Sequence, residues 1–255
     1  MAEIEHGQES QEEALAHLRA YTTARIGIGR TGVSIPTKQS LAFKLAHAHA
    51  RDAVYSALDI DKLTEGLIQF GLPVLHLHSE AAYREQYLQR PDLGRRLNKE
   101  SIDILNSYTL SGAEVVIVIA DGLSATAVNT NTISLLKILI PQIQSAGLRF
   151  APLCLVKQGR VAIADDIGML LRARLSLMLI GERPGLSSAN SMGAYITYNP
   201  QRGLTDESRN CISNIRVNGL NYKQASRKIF YLIQEAITLK LSGVGLKDNT
   251  GRLSG

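Results

Sequence analysis

Three short polar segments each follow an apolar run, and they hold the side chains best suited to chemistry. They span residues 121–124, 157–161 and 181–185. Glu182 stands directly after the run LSLMLI, and its carboxylate offers two acceptor oxygens. These segments could bind a ligand that carries hydrogen-bond donors. A turn in which Glu182 pairs with Arg183, without any ligand, is equally consistent with the pattern.

The glycine-rich motif GIGRTG matches the spacing of the dinucleotide-binding fingerprint at Gly27, Gly29 and Gly32. That fingerprint needs a strand before it and a helix directly after it. Here a helix-like segment precedes the motif and VSIPT follows it. The pattern therefore favours a flexible loop, and a nicotinamide oxidoreductase is the least supported alternative.

The histidines include two pairs at a spacing of two residues, His47/His49 and His76/His78. Such a spacing places both side chains on one face of a strand but not of a helix. His47 and His49 fall in a predicted helix and should diverge. The segment VLHLHSE could be a strand with a metal-binding pair, although surface polar positions are the commoner explanation.

Neither the cysteines nor Ser124 shows the pattern of a catalytic nucleophile. Cys154 and Cys211 belong to no CxxC pair and have no histidine nearby, so we expect free thiols and no zinc site. Ser124 follows Asp and Gly, and no base can be assigned to it. We interpret it as the N-cap of a helix.

Four arginines stand near glycine turns in TARIGIGRTG and DLGRRL: Arg25, Arg30, Arg95 and Arg96. Guanidinium groups at such turns suit carboxylate or phosphate recognition. A subunit contact or a surface ion pair is the explanation that this pattern favours.

Composition narrows the class of protein. The 255 residues are 45% hydrophobic and 20% charged, which are ordinary globular values. The net charge is +5, yet Lys and Arg are spread along the chain, so we predict no nucleic-acid binding. The longest apolar runs are too short to span a bilayer, and the opening MAEIEHGQESQEE is unlike a secretory leader. A cytosolic protein without a membrane segment is expected.

The elements that must position these groups become clear after residue 113. EVVIVIA, RFAPLCLV and LSLMLI predict strands covered on both faces, and residues 125–145 and 165–174 predict helices between them. This alternation predicts an α/β fold with an open, mostly parallel Rossmann-like sheet and flanking helices. Ligands bind beyond the carboxyl ends of such strands, where the three polar segments should meet.

We predict three regions: a helical amino-terminal segment over 1–110, an α/β domain over 111–248 and a disordered tail over 249–255. The first region should contain a short helix over 12–24. It should also contain a helix over 38–58, capped by Thr37, with an apolar stripe that includes Leu41 and Leu45. The last helix should span 221–243, with Gly243 as its stop.

Five motifs, taken together, resemble a known family. RPDLGRRL, VIADGLSATAV, GRVAIADDIG, LIGERPGLSSANSMGAYITYNP and RNCISNIRVNGL occur in this order and spacing. They closely resemble the small (light) subunit of ethanolamine ammonia-lyase, and the similarity covers residues 20–248.

The resemblance implies a subunit of an adenosylcobalamin-dependent lyase, which converts ethanolamine to acetaldehyde and ammonia by radical chemistry. It implies a large subunit that binds ethanolamine and a small subunit that completes the cobalamin site at the interface and is inactive alone. Family cofactor contacts carry over to Val161 of GRV, Glu182 of GERPG and Cys211 of RNCISN. No catalytic residue or metal ligand is implied in this chain, and region 111–248 would contact the cobalamin.

Two features depart from the family pattern. Asn190 stands where many members carry an acidic residue, so a local charge is absent. Asn190 is the hint toward an alternative function, a non-catalytic interaction protein of the same fold that has lost cofactor contact. The amino terminus is shorter than the extension associated with packaging in longer members. A cytoplasmic location within a bacterial microcompartment is what the resemblance implies.

Overall fold

The structure is a computed structural model. The residues that it describes are 18, 21–22, 24–108 and 112–248. The predicted tail lies outside the described residues, and so does most of the predicted helix over 12–24.

In the part of the chain that the structure describes, two α-helices precede the sheet, α1 (Thr37–Tyr55) and α2 (Ile60–Ile68). The prediction that Thr37 caps α1 was wrong, because Pro36 occupies the N-cap and Thr37 is the first helical residue. The predicted apolar stripe of α1 is not buried. Leu41 and Leu45 are 60% and 57% exposed, and of the helix only Ala53 is fully buried.

Six strands form one sheet. They are β1 (Val74–His78), β2 (Val115–Ala120), β3 (Leu153–Lys157), β4 (Leu175–Gly181), β5 (Met192–Tyr198) and β6 (Asn210–Ile215). Their spatial order is β1-β3-β2-β4-β5-β6. The first four are parallel, and β5 and β6 are added antiparallel at one edge. The open, mostly parallel α/β fold is thereby confirmed, whereas β5 and β6 were not predicted.

Five further helices connect and cover the strands. They are α3 (Arg84–Gln89), α4 (Lys99–Ser107), α5 (Ala125–Ser145), α6 (Ile163–Leu170) and α7 (Tyr222–Leu239). Helix α5 has the predicted bounds, and Ser124 is its N-cap, accepting a hydrogen bond from the Ala127 N–H. The predicted stop of α7 was wrong. The helix ends before Lys240, which adopts the left-handed conformation (φ 56°), and Gly243 lies in a later 3-10 turn.

Among the residues that the structure describes, no helix combines the length and the apolarity needed to cross a membrane.

A hydrophobic layer lies on each face of the sheet. Alternate residues of β4 enter opposite layers: Leu177 faces the side of α5 and α7, and Met178 faces the side of α4 and α6. Strand β2 is buried along its whole length, as its unbroken apolar run predicts. The two layers fix the backbone of the central strands, and therefore the positions of the segments that follow them.

The division of the chain at residue 110 stays a prediction. Strand β1 lies before that point and pairs in parallel with β3 along its length, from Val74 opposite Leu153 to His78 opposite Lys157.

Candidate ligand-binding site

The three polar segments that follow β2, β3 and β4 lie against one another. The Leu123 N–H donates a hydrogen bond to the Gly181 carbonyl at 2.9 Å. The Asp121 carboxylate accepts hydrogen bonds from the N–H groups of Gln158 and Gly159 at 2.9 and 3.1 Å. The predicted crevice at the carboxyl ends of these strands is therefore present.

Asp121 holds the backbone of this crevice. Its carboxylate is buried, accepts a third hydrogen bond from the Gly122 N–H at 2.9 Å, and lies 3.8 Å from the Arg84 guanidinium. Burial raises the pKa of Asp121, while the backbone donors and Arg84 act in the opposite direction. With its oxygens engaged by the loops, this carboxylate serves to position them.

Two glycines allow these loops to approach so closely. Gly122 has a left-handed φ of +57°, and a Cβ there would lie 2.3 Å from the Gly181 carbonyl oxygen. A Cβ on Gly181 would lie 2.0 Å from the Ser124 carbonyl oxygen. Any side chain at either position would push the end of β4 away from the start of α5.

Glu182 is held by one of its two oxygens. Oε2 accepts a hydrogen bond from the Ser191 hydroxyl and another from the Asn214 N–H at 3.2 Å. Gly193 leaves room for the carboxylate, since a Cβ there would lie 3.1 Å from Oε1. Within the described part of the chain no donor reaches Oε1, so this oxygen can accept a hydrogen bond from a ligand.

Cys211 lies opposite Tyr195 in the pairing of β6 with β5. The Tyr195 hydroxyl and the Cys211 thiol influence each other's pKa across this pair. Burial raises the pKa of both side chains, and the nearby Glu182 carboxylate raises both further. Cys211 is a free thiol on the exposed side of β6. Glu182 therefore lies close enough to Cys211 for its charge to affect the pKa of the thiol.

A cavity of about 440 Å³ opens beside these groups. Val161 and Glu182 both line it, as do Tyr87, Arg160 and Tyr195. The structure thus brings two of the predicted site residues to one cavity. Cys211 is not part of the lining but neighbours it through Tyr195.

Tyr87 and Arg160 are cavity residues that sequence reasoning missed. Tyr87 is fully buried, and its hydroxyl donates to the Gly159 carbonyl at 3.2 Å. The Arg160 guanidinium carbon lies 4.2 Å from the centroid of the Tyr87 ring. Arg160 directly precedes Val161 in GRV, and this position was the sequence feature that could have indicated a place in the cavity. Nothing near Tyr87 in the sequence indicates its role.

The GIGRTG motif lies outside the cavity. Gly27, Gly29 and Gly32 all have positive φ, and no strand precedes them in the described residues. Helix α1 begins only at Thr37. The context of the dinucleotide fingerprint is absent.

The predicted strand at VLHLH is confirmed as β1, but its histidines are engaged elsewhere. Nε2 of His76 lies 2.8 Å from the Thr64 hydroxyl oxygen, and Nδ1 of His78 lies 2.8 Å from the Ser79 carbonyl oxygen. Over residues 24–108 and 112–248, no three or more His, Cys, Asp or Glu side chains are grouped to hold a metal ion.

Asn190 directly precedes Ser191, the partner of Glu182. Its backbone carbonyl accepts a hydrogen bond from the Asn131 side-chain amide at 3.0 Å. This contact joins the loop before β5 to helix α5 and uses the backbone of Asn190 only.

The fold and the crevice define an open α/β protein with a polar crevice at the carboxyl ends of its parallel strands. The family model "Ethanolamine ammonia-lyase light chain (EutC)" matches residues 12–247. The chain is 53% identical to the ethanolamine ammonia-lyase small subunit of Pseudomonas putida (strain W619), over 91% of the chain and 86% of that relative.

Two further relatives carry the same description. The Pseudomonas fluorescens (strain SBW25) protein is 52% identical over 91% of the chain and 84% of its own length. The Pseudomonas aeruginosa (strain LESB58) protein is 51% identical over 94% of the chain and 89% of its own length. The chain belongs to the ethanolamine ammonia-lyase light chain family.

Proposed function

We propose that the chain is the small subunit of an adenosylcobalamin-dependent ethanolamine ammonia-lyase. In this proposal it completes the cobalamin site at the interface with a large subunit, which binds ethanolamine. The complex converts ethanolamine to acetaldehyde and ammonia, and the small subunit alone is inactive. Family membership supports the activity. Location in a bacterial microcompartment belongs to the same proposal.

The single observation that carries the cofactor site is the free oxygen of Glu182. A corrin bears primary carboxamide side chains, whose N–H groups need acceptors. Glu182 lines a cavity, and its carboxylate is held through the contacts of Oε2 with Ser191 and Asn214, which leave Oε1 without a donor from the described residues. The residues of the crevice therefore fit the rim of this cofactor.

The other two predicted contacts suit the same ligand. Val161 supplies apolar surface beside the cavity, and Cys211, as a free thiol, behaves as a small hydrophobe. A cavity of about 440 Å³ holds only an edge of so large a macrocycle. That size supports a site that a second chain completes.

When bound, adenosylcobalamin supplies radical chemistry through homolysis of its cobalt–carbon bond. The residues of this chain bind and orient the ligand and exclude water from one side of it. In this proposal none of them transfers a proton or forms a covalent bond.

The proposal is tested by cofactor binding to the complex reassembled with its large subunit. Glu182→Ala should weaken adenosylcobalamin binding by about 1–3 kcal/mol, because a buried hydrogen bond to a charged acceptor is lost. Glu65→Ala, at an exposed position of α2, is the matched control and should have no effect.

Two outcomes contradict the proposal. Equal affinity of the wild type and Glu182→Ala would favour the alternative, a non-catalytic interaction protein that has lost cofactor contact. Acetaldehyde production by the large subunit alone at the rate of the complex would remove the small subunit from the reaction.

A further inference from the structure

Arg160 and Arg183 line the same cavity as Glu182, and Arg95, which lines a neighbouring cavity, lies close enough to Arg160 to affect its pKa. Arg160 is half-buried and fixed, with its guanidinium 4.2 Å from the Tyr87 ring centroid and one N–H donated to the Tyr87 carbonyl at 3.3 Å. Arg183 lines the same cavity. Arg95 follows Gly94, whose carbonyl accepts a hydrogen bond from the Arg160 N–H at 2.7 Å.

These arginines repel one another. Burial lowers the pKa of Arg160, and the guanidinium groups of Arg84, Arg95 and Arg183 lower it further, while Tyr87 opposes the effect. Arg84 has Asp121 as its counterion at 3.8 Å. In the described ranges no carboxylate forms an ion pair with Arg95, Arg160 or Arg183.

The lining of the cavity therefore carries groups of opposite charge. Glu182 is the acidic residue of its lining, and that carboxylate is drawn toward Ser191 and Asn214, which belong to the side of β5 and β6. Arg160 and Arg183 are the basic residues of the lining. Compact groups of unpaired guanidinium groups are suited to a phosphate, whose oxygens match the planar fork of N–H donors.

We propose that Arg160, with Arg183 in the same cavity lining, forms a subsite for a phosphate diester. This inference rests on the proposed function and deepens it. Cobalamin carries carboxamides on its corrin and a phosphodiester in its nucleotide portion, so one ligand has partners for both kinds of group. Glu182 accepts from a carboxamide, and the arginines neutralise the phosphodiester.

The test compares two corrinoids that differ in this group. Cobalamin carries the nucleotide and its phosphodiester, whereas cobinamide is the same corrin without them. Their equilibrium binding to the complex with the large subunit is measured by absorbance for the wild type, Arg160→Gln and Arg183→Gln. The matched control is Arg227→Gln, at an exposed position of α7 on the opposite face of the sheet.

Arg160→Gln should weaken cobalamin binding about tenfold or more, the size expected for a lost charge-assisted hydrogen bond, and should leave cobinamide binding unchanged. Arg183→Gln should show the same selectivity with a smaller effect. Because Arg183 is exposed, that variant keeps the test valid even if Arg160→Gln fails to fold. Inorganic phosphate should compete with cobalamin and not with cobinamide.

Equal losses for both corrinoids, or no loss for either, would overturn the subsite. Phosphate binding that depends on Arg160 while cobalamin affinity does not would assign these arginines to free phosphate and also overturn it. Failure of the wild-type complex to bind either corrinoid would instead overturn the proposed function.

Discussion

The Ser191 hydroxyl donates a hydrogen bond to Oε2 of Glu182, and the backbone of the two residues is joined by a second bond, from the Glu182 N–H to the Ser191 carbonyl at 3.0 Å. These two hydrogen bonds join the residue after β4 to the residue before β5. The contact of Ser191 with Oε2 leaves Oε1 as the oxygen of Glu182 that no donor of the described residues reaches.

Ser191→Ala should loosen the Glu182 carboxylate without removing it. We expect the affinity of the complex for adenosylcobalamin to fall by about 1 kcal/mol, the net contribution of one hydrogen bond. Ser188→Ala is the matched control, because the Ser188 hydroxyl is buried in the same loop and has no hydrogen-bond partner in the structure. Equal affinities of the two variants would show that Ser191 does not position Glu182.

Gly193→Ala should disturb the same carboxylate from the other side. The new Cβ would lie 3.1 Å from Oε1 and 3.3 Å from Cγ of Glu182, so the side chain must shift by a few tenths of an ångström. We expect weaker cofactor binding with little change in the melting temperature. Gly185→Ala should change neither quantity, since its nearest contact would be 3.7 Å. Unchanged affinity in Gly193→Ala would argue against a role for this oxygen.

Asp121→Asn should cost stability. The amide keeps one acceptor oxygen, so backbone donors of Gln158, Gly159 or Gly122 lose their partner, and Arg84 loses its counterion. We expect the free energy of unfolding in urea to fall by about 2–4 kcal/mol.

Asp103→Asn, an exposed position on α4, is the control for that measurement and should change the free energy of unfolding by less than about 0.5 kcal/mol. If Asp121→Asn were equally mild, the loops would be held together by other contacts.

Cys211 should react slowly with thiol reagents for an exposed cysteine. Burial raises its pKa, so less thiolate is present at pH 8 than in a free cysteine, and the rate should rise as the pH increases. Cys154 is fully buried and should react only after unfolding. The native protein should therefore titrate one thiol, which Cys211→Ser removes and which bound adenosylcobalamin protects. Full reactivity in the presence of the cofactor would place Cys211 outside its site.

The parts of the fold that sequence predicts well are those with strong local signals. The unbroken apolar runs of β2 and β4 place both strands, and Ser124 marks the start of α5. Because the strands are parallel, their order alone brings the three polar segments to one edge. Val161 and Glu182 could therefore be expected in one crevice.

The rest depends on contacts that no local pattern records. Strands β5 and β6 carry Gly, Ser and Asn among their apolar residues, and only their pairing places Cys211 opposite Tyr195. Tyr87 reaches the cavity from α3, which is distant in sequence. Helix α7 ends before the expected glycine because Lys240 adopts the left-handed backbone conformation. A lysine disfavours this conformation, so the sequence gives no signal for the end of the helix there.

Strand β6 buries Ile212 and Ile215 in one layer and leaves Cys211 and Ser213 exposed on the other side. The central strands are covered on both faces, whereas within the described residues this edge of the sheet is covered on one face only. Water held against Tyr195 and Cys211 is released when another molecule covers them, and that release favours association. In the proposed complex the large subunit would cover this surface, so we expect the melting temperature of the complex to exceed that of this chain alone.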